Sequence, residues 1–212
     1  MKDFLHVYIK KYPFECDNNP ILKERQEEID GYDDRLGSTP EEKLYSWKLL
    51  EKACRQSLGK ELNDLNPRKL DTGKWVIDNY FISLSNSGTY VMVGISNKPI
   101  GVDVQKNTEM RACQASSELI QEELNYYGKD DIEKHLCVHT QKEAIFKCYG
   151  NGPFQMINTL LYKDRVKTLN CGEYIYSICS DLIKNAININ YWLNDEPITE
   201  KELKAKGGYY EF

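Results

Sequence analysis

Two segments constrain this chain more than any others: Ile100 to Gln105, which reads as a strand, and His139 to Lys147, which reads as a helix. The first is IGVDVQ. Strand side chains alternate between faces, so Ile100, Val102 and Val104 share one side while Gly101, Asp103 and Gln105 share the other. The second is HTQKEAIFK. Residues four apart on a helix are neighbours, which puts Glu143 and Lys147 on one face. An acid on a strand, an acid on a helix and a lysine one turn beyond can bind a divalent metal and a phosphate together.

The bulk of the chain narrows the setting for such a site. A length of 212 residues suits one large domain or two small ones around a buried core. Hydrophobic residues make up 41% and charged residues 29%, which fits a globular protein and not a disordered one. The net charge is −5 with no basic stripe, which argues against a non-specific nucleic-acid binder but leaves room for a local basic pocket. No apolar run is long enough to span a membrane. The opening MKDFLHVYIKKYPF alternates like a strand and lacks the unbroken apolar stretch of a secretion signal, so a cytoplasmic protein without a membrane partner is expected. Seven cysteines (Cys16, Cys54, Cys113, Cys137, Cys148, Cys171, Cys179) are odd in number, scattered and without a C-x-x-C pair. That pattern argues against a disulfide framework and a structural zinc site, and the spacing of Cys137, His139 and Cys148 matches no common ligand set.

Local signals divide the chain into elements. Thr39-Pro40-Glu41-Glu42 opens a helix, with threonine as N-cap, proline at the first helical position and glutamate at the third. That helix buries Trp47, Leu50, Cys54 and Leu58 and ends at Gly59. Strands are expected over Tyr80 to Leu84, Thr89 to Ser96 and Ile100 to Gln105, the last two as a hairpin around Asn97-Lys98-Pro99. A helix is expected from Ser116 or Ser117 through Leu119, Ile120, Leu124 and Tyr127 to Gly128, followed by the Glu143 helix. Phe154 to Leu161 and Tyr174 to Cys179 read as strands. GTYVMVGIS, Gly88 to Ser96, echoes GEYIYSICS, Gly172 to Ser180, which suggests two related α+β halves, residues 1–103 and 104–212, with a site at their junction. A plainer reading stands beside this one. Thr140-Gln141-Lys142-Glu143 also fits a capping box, Lys147 a routine partner of Glu143, and Asp103 an aspartate that starts a turn.

The combination resembles the surfactin-type 4′-phosphopantetheinyl transferases. Members of that family carry a G-[IV]-D strand and, some forty residues on, [WF]-[ST]-x-K-E-[AS]-x-x-K. This chain has Gly101-Val102-Asp103 and then Thr140-Gln141-Lys142-Glu143-Ala144-Ile145-Phe146-Lys147. An upstream family element, G-K-P followed by a strand ending in S-H-S, is similar to Gly73-Lys74-Trp75 and Ser85-Asn86-Ser87. Order and spacing agree over most of the chain, fading before Glu41. The resemblance implies two pseudosymmetric α+β halves with coenzyme A bound between them and Mg²⁺ on its pyrophosphate. It also implies transfer of phosphopantetheine to a serine of an apo acyl or peptidyl carrier protein.

Carried onto this chain, the resemblance implies that Asp103 and Glu143 hold the metal and that Glu143, directly or through water, takes the serine proton. Lys147 sits on the phosphates, and Lys74, Ser85 and Asn86, with Lys48 from the first helix, hold the 3′-phosphate side of coenzyme A. The carrier is expected to dock between Met110 and Tyr127 through Leu119 and Ile120, and a single chain with both halves is expected to act as a monomer. Three positions depart from the pattern. Gln105 stands where many members have a third metal-binding glutamate, so weaker metal affinity is expected. Asn86 replaces the histidine of S-H-S, and His139 replaces an aromatic and is expected to pack as one. Two rival readings follow: a relative that binds coenzyme A or a carrier without catalysis, and an unrelated Mg²⁺-dependent phosphohydrolase.

Overall fold

The computed structural model describes residues 2–14, 39–70, 74–150 and 153–205. Its elements are mixed α+β, the class expected. In chain order they begin with β1 (Leu5–Lys11), α1 (Pro40–Leu58), β2 (Pro67–Lys69), β3 (Trp75–Ile77), β4 (Tyr80–Ser87), β5 (Tyr90–Ser96) and β6 (Gly101–Lys106). Then come α2 (Glu109–Ser116), α3 (Gln121–Tyr127), α4 (Ile132–Tyr149), β7 (Val166–Asn170) and β8 (Tyr174–Cys179). The last are α5 (Asp181–Lys184), β9 (Ile189–Leu193), β10 (Glu196–Ile198) and α6 (Glu200–Ala205). The strands form a seven-stranded sheet, β10-β9-β1-β5-β4-β3-β2, and a three-stranded sheet, β6-β8-β7.

Alternation along β1 explains how the layers stack. Leu5, Val7 and Ile9 join Ile100, Val102, Val104, Tyr176 and Ile178 in the core between the two sheets. Tyr8, on the opposite face, joins Trp47, Leu50 and Cys54 of α1. The outer face of the smaller sheet is covered by α4 through Ala144, Ile145 and Cys148 against Cys179. The order is therefore helix, sheet, sheet, helix. α1 has the cap read from sequence, with Thr39 and Glu42 bonded reciprocally, proline in the first turn, and Gly59 left-handed at φ 64°. Among the described residues no helix is long and apolar enough to cross a membrane.

Four local expectations are corrected. Asn97-Lys98-Pro99 does not turn a hairpin, because β5 pairs with β1 and β4 while β6 pairs with β8. Both edges of β5 are occupied, so the chain steps to the other sheet. Gly94 leaves the room for that step: a Cβ there would lie 2.6 Å from Ile100 Cδ1 and 2.7 Å from Val102 Cγ1. The helix expected from Ser116 to Gly128 is two pieces. α2 is capped by Thr108 and ends at Ser116, and α3 starts after Ile120, whose N–H is taken by Glu123 Oε2. Thr140 opens no helix, since α4 starts at its N-cap Asp131 and the Thr140 hydroxyl donates to the Leu136 carbonyl within the helix. The Glu143 carboxylate is thereby left out of any cap. Phe154 to Leu161 is not a strand but two 3-10 turns, Phe154–Met156 and Thr159–Tyr162, the second bonded to the Glu123 carboxylate by the Thr159 N–H and hydroxyl.

The sheets are stitched by serines. β6 is an edge strand, and its outward N–H groups at Val102, Val104 and Lys106 donate to the hydroxyls of Ser83, Ser85 and Ser87 on β4, at 3.0, 3.2 and 3.0 Å. Three side chains do what a neighbouring strand's carbonyls would do, which satisfies an otherwise orphaned buried edge. The division between residues 103 and 104 falls inside β6, and β9 returns to pair in parallel with β1. The C-terminal segment thus completes the seven-stranded sheet. The echoed segments are β5 and β8, each following a left-handed glycine, Gly88 at φ 60° and Gly172 at φ 73°.

Candidate functional site

The site is set by one backbone contact. A Cβ on Gly101 would lie 1.9 Å from the Ala144 carbonyl oxygen and 2.5 Å from the Cys148 nitrogen, so only glycine lets β6 and α4 touch there. Asp103 is two residues along the same strand face, and Glu143 and Lys147 flank Ala144 on the helix. The contact therefore delivers Lys147 Nζ to 2.6 Å from Asp103 Oδ1 and 4.0 Å from Glu143 Oε2. The Asp103 side chain is 2% exposed, against 27% for Lys147 and 31% for Glu143. Burial holds the Glu143 pKa above the ordinary carboxylate range; Lys147 opposes that shift and the Asp103 charge adds to it.

The Asp103 carboxylate is held at both oxygens. Oδ1 accepts from Ser85 Oγ at 2.7 Å as well as from Lys147, and Oδ2 accepts from Gln105 Nε2 at 3.1 Å. Ser85 also accepts from the Val104 N–H and from Lys147, so its hydroxyl belongs to the seam between sheets and to the acid. Chemistry leaves the Gln105 amide one orientation. A carboxylate only accepts, so the NH₂ faces Asp103; a guanidinium only donates, so Oε1 faces Arg111. Gln105 reaches the site through its amide nitrogen, with its carbonyl oxygen bound to Arg111.

Beside the acids lies a cavity of about 280 Å³, lined among others by Lys43, Lys74 and Lys147, Trp47, Asn86 and Phe146. No aspartate or glutamate among the described residues lines it. Lys74 donates to the Cys148 carbonyl at the C-terminal end of α4, where a cation meets the helix dipole. Burial pushes its pKa below the ordinary lysine range, opposed by Cys148 and Cys179. Asn86 faces the cavity from β4, the strand whose Ser85 faces the acid. Lys48 is not in the lining, its ammonium being 6.0 Å from the Tyr45 ring centroid; Lys43, four residues before Trp47, lines the cavity from α1 instead. Gly73 lies outside the described residues.

Among the described residues no group of three or more His, Cys, Asp or Glu side chains is placed to hold a metal. The available set is two carboxylates, and Lys147 already puts one positive charge against both. Mg²⁺ takes oxygen ligands and keeps several waters, so the chemistry of two carboxylates suits it as a partial ligand set. Sequence reasoning missed Lys43, Arg111 and the pairing of His139 on α4 with Glu118 in the loop between α2 and α3, Nδ1 to Oε2 at 2.5 Å. The four-residue step between Lys43 and Trp47 was a readable signal; the Gln105–Arg111 bond spans a strand, a turn and a helix start, and carries none. The expected docking face is also altered. Leu119 is buried at 8% exposure, while Met110, Tyr126, Met156 and Leu161 are exposed between 62% and 75%. No protein-family model matches the chain, and no curated protein shows significant similarity to it.

Proposed function

We propose that this chain transfers the 4′-phosphopantetheine group of coenzyme A to a serine of an apo acyl or peptidyl carrier protein, with Mg²⁺ as cofactor. The observation that carries the reading is the convergence of Asp103, Glu143 and Lys147 at the edge of a lysine-lined cavity with aromatic walls. Such a cavity suits a ligand that is both anionic and aromatic, as the adenosine 3′-phosphate end of coenzyme A is. The site lies on the β6–α4 contact, and the similar glycine-led strands β5 and β8, one in each sheet, support a reading of two pseudosymmetric halves with that fold.

In this mechanism the carrier serine oxygen attacks the phosphorus next to pantetheine. The P–O bond to the adjoining phosphate breaks, and its electron pair leaves with adenosine 3′,5′-bisphosphate. Lys147 and Lys74 hold the leaving group's negative charge, with Lys43 and Asn86 contributing from the cavity wall. Asp103 and Glu143 would hold a magnesium ion, which supplies charge neutralisation at the pyrophosphate. Gln105 steadies the Asp103 carboxylate through its NH₂ group, and Arg111 steadies Gln105.

Three products separate this reading from its rivals. The protein is incubated with coenzyme A, Mg²⁺ and a panel of apo acyl and peptidyl carrier proteins, and all species are weighed. A carrier that gains one phosphopantetheine supports the transferase. Coenzyme A cleaved without carrier modification supports a phosphohydrolase. Intact coenzyme A, retained by the protein, supports a catalytically inactive binder.

A further inference from the structure

Two jobs fall to Glu143 when the site is read from sequence: metal ligand and proton acceptor. They conflict, because a carboxylate bound to a dication and facing an ammonium loses basicity. A second group on the same helix face is better suited to the proton. His139 is one turn before Glu143 on α4, and its Nδ1 lies 2.5 Å from Glu118 Oε2 in the loop between α2 and α3. A carboxylate only accepts, so this bond places the imidazole proton on Nδ1 and leaves the lone pair on Nε2. Nε2 has no partner among the described residues.

The surroundings keep that ring in place without closing it off. Glu118 is itself anchored, since its backbone carbonyl accepts from Lys142 Nζ at 2.9 Å, and Lys142 is completely buried. Phe154, from the 3-10 turn opposite, meets the imidazole edge-to-face at 5.7 Å. The charged groups around His139 are Glu118 across from it and Glu143 and Lys142 on its own helix. The His139 side chain is 20% exposed and that of Glu118 33%, so solvent reaches the pair. A carboxylate that orients an imidazole through Nδ1 and steadies the imidazolium formed at Nε2 is the arrangement that makes histidine an effective base.

On the transferase reading above, we infer that Glu118 and His139 form a proton-accepting dyad for the carrier serine. The serine O–H bond breaks as its oxygen bonds to phosphorus, the proton passes to His139 Nε2, and the P–O electron pair leaves with adenosine 3′,5′-bisphosphate. The imidazolium, paired with Glu118, then returns the proton to water. Glu118 is a positioning residue and His139 the catalytic one.

The test combines kinetics on His139→Phe, His139→Ala and Glu118→Gln with ¹⁵N spectra of the wild-type imidazoles. His139→Phe preserves the edge contact with Phe154 and guards against a folding defect. The expected result is a fall in kcat of roughly 10²-fold or more for His139→Phe, KM for coenzyme A unchanged, and partial rescue of His139→Ala by added imidazole. Glu118→Gln is expected to lower kcat less, and the neutral His139 ring to carry its proton on Nδ1. Full activity of a folded His139→Phe protein, or a proton on Nε2, overturns the dyad while leaving the transferase reading intact. A wild-type protein that modifies no carrier overturns the transferase reading and this role together.

Discussion

Replacing Gly101 with alanine adds one methyl group at the point where β6 touches α4. That carbon would sit 1.9 Å from the Ala144 carbonyl oxygen and 2.5 Å from the Cys148 nitrogen, where ordinary contact begins near 3.4 Å. The helix must retreat by about 1.5 Å to accept it. Both clashing atoms are helix backbone, so no side-chain rotation relieves the overlap. Gly101 lies in a strand with no left-handed φ, so backbone strain is not confounded with packing. Overpacking a close-packed core costs about 1–3 kcal/mol, and the rigid partners put this case at the upper end. With a urea m-value of about 2–3 kcal/mol per molar, the unfolding midpoint should fall by roughly 1 M. The same retreat pulls Lys147 from Asp103, so weaker binding of coenzyme A should accompany the loss of stability. Equilibrium urea unfolding followed by tryptophan fluorescence measures the first, and calorimetric titration the second. A midpoint unchanged within error would refute the claim that this contact holds strand and helix together.

Other perturbations probe separate parts of the account. Lys142→Met should destabilise the fold by about 3–5 kcal/mol, because Glu123, 2.9 Å from Lys142 and completely buried, would lose its counter-ion and retain only neutral donors; adding Glu123→Leu should recover part of the loss in thermal melts. Burial raises the Glu143 pKa, so the folded state favours the protonated acid, and that stabilising contribution is present at acid pH and lost as pH rises through the raised pKa. Glu143→Gln should therefore raise the melting temperature at neutral pH and lose its advantage below the ordinary carboxylate pKa, while abolishing transfer. Ser83→Ala strips the partner from the buried Val102 N–H, at a cost of about 1–3 kcal/mol, and hydrogen exchange at that amide should accelerate.

Much of the site was legible because it depends on local periodicity. The two-residue repeat of β6 put Gly101, Asp103 and Gln105 on one face, and the helical step put Glu143 beside Lys147. The hairpin at Asn97-Lys98-Pro99 failed because a turn signal says that the chain reverses or steps, never which sheet receives the next strand. That choice is made by distant partners, β1 and β4 for β5, and β8 for β6. Thr140 mimicked a cap because S/T-x-x-E recurs inside helices, and only the Asp131 cap nine residues earlier shows that the helix was already under way. Leu119 was taken for a surface contact, yet it packs inward at the break between α2 and α3. The same break brings Glu118 to His139, which is why a histidine expected only to pack has a carboxylate partner. Ser85 illustrates the limit most plainly. Its motif position suggested a phosphate contact, while its hydroxyl is spent on Asp103 and the β6 edge, a bond between strands in different sheets that no local pattern encodes.

Transfer of phosphopantetheine by Asp103, Glu143 and Lys147 is tested most directly by the mass of an apo carrier protein after incubation with coenzyme A, Mg²⁺ and the wild-type chain, run beside Glu143→Gln and Asp103→Asn. The expected result is one phosphopantetheine added per carrier, one adenosine 3′,5′-bisphosphate released with each, and no gain with either folded variant. A carrier modified equally well by wild type and by Glu143→Gln, or left unmodified by the wild type across the whole panel, would contradict it.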